Sequence, residues 1–238
     1  MKKAFRIAGV VLAFVAVIAV LIWAVNDTED DLCRKVNIET DGEFLSVSEI
    51  QSWLRRKSLY PLGMPMHSVS TQKIEDGLSL HEMVRNAQCY KFGDTIVEIS
   101  VEQRKPILRV LTDGETYYVD ADRKRMPVRP ETKVDVIWVR GHIGEQMARE
   151  EIAGFVEWLN DNSYWQPRIR SIEVREGKQV LLRQAENEPV ILLGRLEDYE
   201  KKLHKVRIFI EEANVSGVNI PTYKQLDARF DGQIVGRN

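Results

Sequence analysis

Residues 95–107, TIVEISVEQRKPI, decide how the chain is read. Thr95, Val97, Ile99 and Val101 fall on one side, while Glu98, Ser100 and Glu102 fall on the other. That two-residue period belongs to a strand with one buried face. Phe92-Gly93-Asp94 just before it reads as a turn, so residues 88–91 and 95–101 form a hairpin. Lys105-Pro106 just after it marks a change of texture, and the chain divides there into segments 33–106 and 107–238.

Upstream, the hairpin completes a strand-helix-helix-strand-strand module. Val36 and Ile38 alternate with polar neighbours. Ser46 followed by Glu49 is a capping box that opens a helix, with Val47, Ile50, Trp53 and Leu54 on one face. Two prolines and a glycine in residues 59–65 end it. A second helix starts after Ser70 with Ile74, Leu78 and Val84 inward, weakened by about 1 kcal/mol at Gly77.

Downstream the pattern is sheet-rich α+β. Strands at 107–111 and 116–119 flank the turn Thr-Asp-Gly-Glu. Further strands fall at 134–139, 169–174, 180–182 and 190–193. Ala148, Ile152, Phe155 and Leu159 mark one amphipathic helix; Leu196, Tyr199, Leu203, Val206 and Ile210 mark another. Leu226, Ala228 and Phe230 alternate with Asp227, Arg229 and Asp231 as a last strand over 226–230.

At the other end, residues 7–25 hold no charge, proline or asparagine and follow Lys2, Lys3 and Arg6. As a helix they span roughly 28 Å, the thickness of a bilayer's hydrocarbon core. Twelve of these nineteen are Leu, Ile, Val or Phe, and they favour insertion by about 4–7 kcal/mol. A retained transmembrane helix at 7–25 is expected, with a cytoplasmic tail at 1–6 and a short acidic stalk at 26–32. A cleaved signal peptide is the competing reading; the bulky Leu-Ile-Trp-Ala-Val lacks the small residues its cleavage needs.

The net charge of −2, with both signs interleaved, argues against a nucleic-acid partner. Cys33 and Cys89 lie on the outer side of the membrane. They either pair in a disulfide or remain two buried thiols. The four histidines are scattered, and no nucleophile motif, phosphate loop or metal-ligand spacing is present. Asp113, Asp120 and Asp122 form a loose acidic cluster that turn chemistry explains better than a cation. No catalytic, cofactor or metal residue is assigned. What remains is binding. The terminal strand, with Arg229, Phe230, Gln233, Ile234 and Val235, reads either as an open edge able to accept a partner's strand or as an ordinary buried one.

In order of parts the chain resembles the FtsQ/DivIB family of bacterial division proteins, and its first module looks like a POTRA domain. Residues 74–78 (IEDGL) with 83–87 (MVRNA) are similar to the family's second POTRA helix. Residues 97–107 resemble its "I-x-V-x-E-R-x-P" signature, and 118–127 (YVDADRKRMP) its "hydrophobic-Asp-x-x-Gly" turn. Residues 193–206 resemble its late glycine-then-helix segment, and 226–230 (LDARF) its closing "D-L-R-F" strand. The chain departs from the pattern in its short tail, in Lys124 or Arg125 where glycine is expected, and in its cysteine pair.

The resemblance implies a non-enzymatic divisome scaffold without cofactors, in the inner membrane at the division septum, with its two domains outside the cytoplasm. It implies FtsB and FtsL as partners, septal peptidoglycan synthesis as the process regulated, and contact with other septal components through the POTRA module. Carried over, the partner's strand would lie beside 223–235, adding Tyr223 to the residues above. The rivals are a POTRA-bearing accessory protein of envelope export and, from the cluster near Asp120 alone, an anchored envelope enzyme.

Overall fold

A computed structural model describes residues 15–20, 32–217 and 220–238. Residues 15–20 are helical; the rest of the apolar run 7–25, the tail 1–6 and the stalk residues 26–31 lie outside the described residues. Among the described residues no helix is long and apolar enough to cross a membrane. The chain forms two units, Met1–Asp41 with Leu45–Glu102, and Gly42–Phe44 with Gln103–Asn238.

The first unit runs β1 (Lys35–Thr40), α1 (Val47–Arg56), α2 (Thr71–Ser79), β2 (Val84–Phe92), β3 (Ile96–Gln103). Its sheet order is β1-β3-β2, with β1 parallel to β3 and Val36 opposite Val97. The alternation that opened the reading is the middle strand: Val97, Ile99 and Val101 are 0–2 % exposed. Local chemistry starts α1 as anticipated. Ser46 Oγ accepts from Glu49 N–H at 3.3 Å, and Glu49 Oε2 accepts from Ser46 N–H at 2.9 Å. Such a cap contributes about 1 kcal/mol.

Val84 does not extend the second helix. Its N–H donates to the His81 carbonyl, and the residue opens β2 instead. Gly77 is explained by packing. Its carbonyl accepts the Trp53 indole N–H at 2.8 Å, and a Cβ there would lie 2.2 Å from Leu59 Cδ1.

The second unit contains β4 (Pro106–Thr112), β5 (Glu115–Asp120), β6 (Arg125–Pro127) and β7 (Ile137–Gly141). A helical turn Glu145–Met147 and a π-turn Ala148–Ile152 lead into α3 (Ala153–Asp161). Then come β8 (Ser171–Arg175), β9 (Gln179–Arg183), β10 (Val190–Gly194), α4 (Tyr199–Val215), β11 (Gln225–Asp227) and β12 (Val235–Arg237). Among the described residues β4 to β12 join one sheet, ordered β12-β11-β10-β9-β8-β7-β4-β5-β6. β4/β7, β7/β8 and β10/β11 are parallel pairs; the rest are antiparallel.

Phe155, Val156 and Leu159 of α3 and Leu203 and Val206 of α4 bury one sheet face over Val110, Val139, Ile172, Leu182 and Ile191. Asp113 and Gly114 both take positive φ, the two-residue turn expected between β4 and β5. The resemblance puts the missing glycine at Lys124 or Arg125, whereas the left-handed position of the turn after Asp120 is Arg123, at φ 64°.

Three expectations need correction. β7 begins at Ile137, not at 134, because Val134 and Val136 have no pairing partner there. α4 begins at Tyr199, past Leu196. The strand read over 226–230 stops at Asp227, since Asp231-Gly232 reverses the chain, with Gly232 at φ 71°, and returns it as β12.

Gly77→Ala, stabilising in an ordinary helix interior, is expected to destabilise the first unit by about 1–2 kcal/mol as Leu59 is displaced. Urea unfolding of the full chain reads this as an earlier transition for that unit.

Candidate functional site

The correction at 226–230 moves the open edge. β11 is capped on both sides, by β10 and by β12. β12 pairs with β11 alone, through Asp227↔Val235, Leu226↔Gly236 and Gln225↔Arg237. Among the described residues no strand covers its outer side. Unpaired N–H and C=O groups on such an edge are a template for another chain.

Asp227 holds the β11–β12 hairpin together. It has 0 % exposure, although it is a carboxylate. Its Oδ1 accepts from Arg229 Nε at 2.9 Å, and its Oδ2 accepts from Arg229 Nη2 at 2.8 Å and Arg237 Nη2 at 3.0 Å. The Arg229 backbone N–H adds a bond to Oδ1 at 3.3 Å. These donors outweigh burial and hold the Asp227 carboxyl below the usual carboxylate range, while Asp227 raises Arg229. Gly194 makes room for this arginine: its φ is 77°, and a Cβ there would meet Arg229 Cγ at 2.9 Å.

The other residues named from sequence divide into two sets. Tyr223 lies against β12, where a Cβ on Gly236 would come within 2.6 Å of its ring, and Ile234 packs against the core. Val235 is half-buried within β12, whereas Phe230 (41 % exposed) and Gln233 project from the turn region. Arg229 is committed to Asp227 rather than free for a partner.

Sequence reasoning missed the surface beside this edge. Leu111, Arg140, Glu173, Leu181, Leu192, Asp227 and Val235 are successive cross-strand partners from β4 to β12. Directly opposed residues point to the same side, so they form one row on the face away from α3 and α4. A groove of about 880 Å³ opens on this row, lined by Leu111, Arg140, Glu173, Arg175, Leu192 and Arg229. Glu173 in it is already neutralised. Arg175 Nε at 2.8 Å and Arg183 Nη2 at 2.6 Å keep its carboxyl below the usual range. The separate polar and apolar residues carry no signal in sequence, because the strand order that aligns them is not local.

The acidic cluster is structural. Asp120, 2 % exposed, accepts from Arg104 Nη1 at 2.8 Å and from Lys124 N–H at 2.7 Å, closing the β5–β6 turn. No group of three or more His, Cys, Asp or Glu among the described residues could hold a metal ion. Cys33 and Cys89 are free and buried, and burial raises both thiols, Cys89 to about 11. Neither is a ready nucleophile at neutral pH.

Asp227→Asn is expected to cost about 2 kcal/mol at neutral pH, the scale of hydrogen bonds to a charged group. The folded pKa of Asp227 lies below its unfolded value, so its contribution is complete above the unfolded pKa and lost as pH falls through the folded one. Urea midpoints of wild type and variant, far apart at pH 7, should therefore converge in strong acid.

No curated protein matches the chain. Two family profiles do: one for POTRA-like domains over residues 31–102, and one described as FtsQ/DivIB, C-terminal related, over residues 105–237. The second alone covers more than half of the 238 residues, including the whole large sheet and the β12 edge. The chain belongs to the FtsQ/DivIB family.

Proposed function

We propose that this protein is a single-pass, membrane-anchored scaffold of the division machinery, with residues 7–25 in the inner membrane and both units outside the cytoplasm. It captures FtsB- and FtsL-type partners and through them helps regulate septal peptidoglycan synthesis. It does no chemistry of its own. Membership of a generally non-enzymatic family supports that reading.

The observation that carries the binding mode is the uncovered outer side of β12. An extended partner segment would add there as a further strand, its backbone completing the ladder. Tyr223, Ile234 and Val235 would set the floor of that contact, and Phe230 and Gln233 would offer side chains to the partner. Arg229 serves by holding the hairpin in shape through Asp227. The groove along Leu111, Arg140 and Leu192 gives the partner's flanking residues a second surface, where Arg140 has no ion pair among the described residues.

Ile234→Pro removes an N–H that alternates with the ladder-facing one of Val235 and so lies on the outer side of this arm, and Phe230→Asp replaces an exposed ring with a charge. Each should weaken binding of an FtsB-type periplasmic segment to the full chain at least about tenfold, roughly 1.4 kcal/mol. Circular dichroism should show both variants folded. Wild-type affinity in both, measured by calorimetry, would remove β12 as the site. In cells, depletion should give filaments, and a fluorescent fusion should form midcell bands. Uniform envelope signal with normal cell length would favour an export accessory instead.

A further inference from the structure

The first unit is polarised from end to end. The chain enters it at Leu32, which bridges to Pro65. Cys33 N–H donates to Met64 O at 2.9 Å, and Gly63 N–H donates to Cys33 O at 2.8 Å, fastening that end to the loop after α1. β1 leads away from this end and α1 returns toward it, so α1 finishes there with Arg55, Arg56 and the cap residue Lys57. β3 is parallel to β1, which brings the β2–β3 turn to the same end, where Arg34 N–H donates to Thr95 O at 2.8 Å.

Five exposed cations therefore collect where the chain enters: Arg34, Lys35, Arg55, Arg56 and Lys57. None has a carboxylate partner among the described residues. Arg55 lies over the Tyr60 ring at 4.1 Å and Lys57 over the Trp53 ring at 5.0 Å. The segments that meet at this end also carry three exposed apolar side chains, Leu32 at 43 %, Leu62 at 46 % and Phe92 at 64 %. The far end of the same unit, where β1 finishes and β2 begins, carries Asp41 and Glu82 instead.

We infer that this basic, apolar end docks on the headgroups of anionic lipids in the membrane that anchors the chain. The inference rests on the anchored reading above. Only six residues lie between Val25 and Leu32, and their seven Cα-to-Cα steps of about 3.6 Å reach roughly 25 Å from the bilayer at full extension. A polybasic surface held that close is attracted by anionic headgroups. Apolar side chains flanked by arginine, lysine and aromatic rings suit the interfacial layer, where stems bury and charges stay in water. The stalk carboxylates Asp27, Glu29, Asp30 and Asp31 compete for the cations. They offer nothing to Leu32, Leu62 and Phe92, which is why the bilayer interface is the better occupant.

The test uses the full chain with Leu62→Cys, spin-labelled, in liposomes of phosphatidylcholine with or without phosphatidylglycerol. The native cysteines are buried, so the label goes to one thiol. Collision of the label with a water-soluble nickel chelate should fall about threefold or more when phosphatidylglycerol is present, and high salt should restore it. The combined R55E, R56E and K57E variant should also restore it, with an unchanged circular dichroism spectrum. A label on Leu80→Cys, 70 % exposed at the far end, should stay accessible throughout. Equal accessibility at Leu62 in both lipids, equal shielding at Leu80, or shielding that appears only when an acidic partner protein is added overturns the proposal. Alkaline extraction separates the two readings. Chain washed out of the vesicles ends the anchored reading and this proposal with it, whereas retained chain with an open label ends the docking alone.

Discussion

Asp227 has no surface in water, yet it stays charged because three guanidinium nitrogens and a backbone N–H converge on it. The end of the sheet depends on that carboxylate. Arg229 comes from the connection after β11, and Arg237 comes from β12, so a single side chain of β11 holds both arms of the hairpin. A carboxylate in that position without both partners would carry an uncompensated desolvation cost of several kcal/mol. The hairpin in turn decides which backbone groups remain open, and so where a partner can add.

The two faces of the large sheet do different work. On one face, α3 and α4 seal an aliphatic core in which residues from Leu108 to Leu226 are almost fully buried. That face supplies most of the stability and leaves nothing for a partner. The opposite face carries the row from Leu111 to Val235, with charges mutually satisfied at Glu173 and Asp227 and apolar surface left at Leu111 and Trp138, 42 % and 44 % exposed. Arg109 lies 4.4 Å over the Trp138 ring on this same face. An aromatic and arginine-bearing surface of this kind is what protein partners use as anchors.

Legibility in the sequence followed the range of the forces involved. The capping box at Ser46, the alternation of 95–101 and the Asp113-Gly114 turn depend on neighbours within a few residues, and each was readable. Gly77 was readable only as a penalty, because its reason is Leu59, eighteen positions away. β6 went unseen, since its three residues have no period of their own and are strand only by pairing with β5. The reading of 226–230 failed in a more instructive way. Leu226 and Ala228 are buried on the expected side, but Phe230 belongs to a turn, and Asp231-Gly232 was the signal that outweighed the alternation.

Taken alone, the chain determined its order of parts: an apolar run, a strand-helix-helix-strand-strand module, a boundary near Pro106 and a sheet-rich remainder. Those are set by periodicity, caps and turns, which act locally. Only the tertiary structure decided that β11 is interior and β12 the edge, and that residues from five strands line one groove. The same holds for the five cations and three apolar side chains gathered where the first unit begins. Strand order is chosen by burial and pairing between segments far apart in sequence, and nothing local records which neighbour a strand will have.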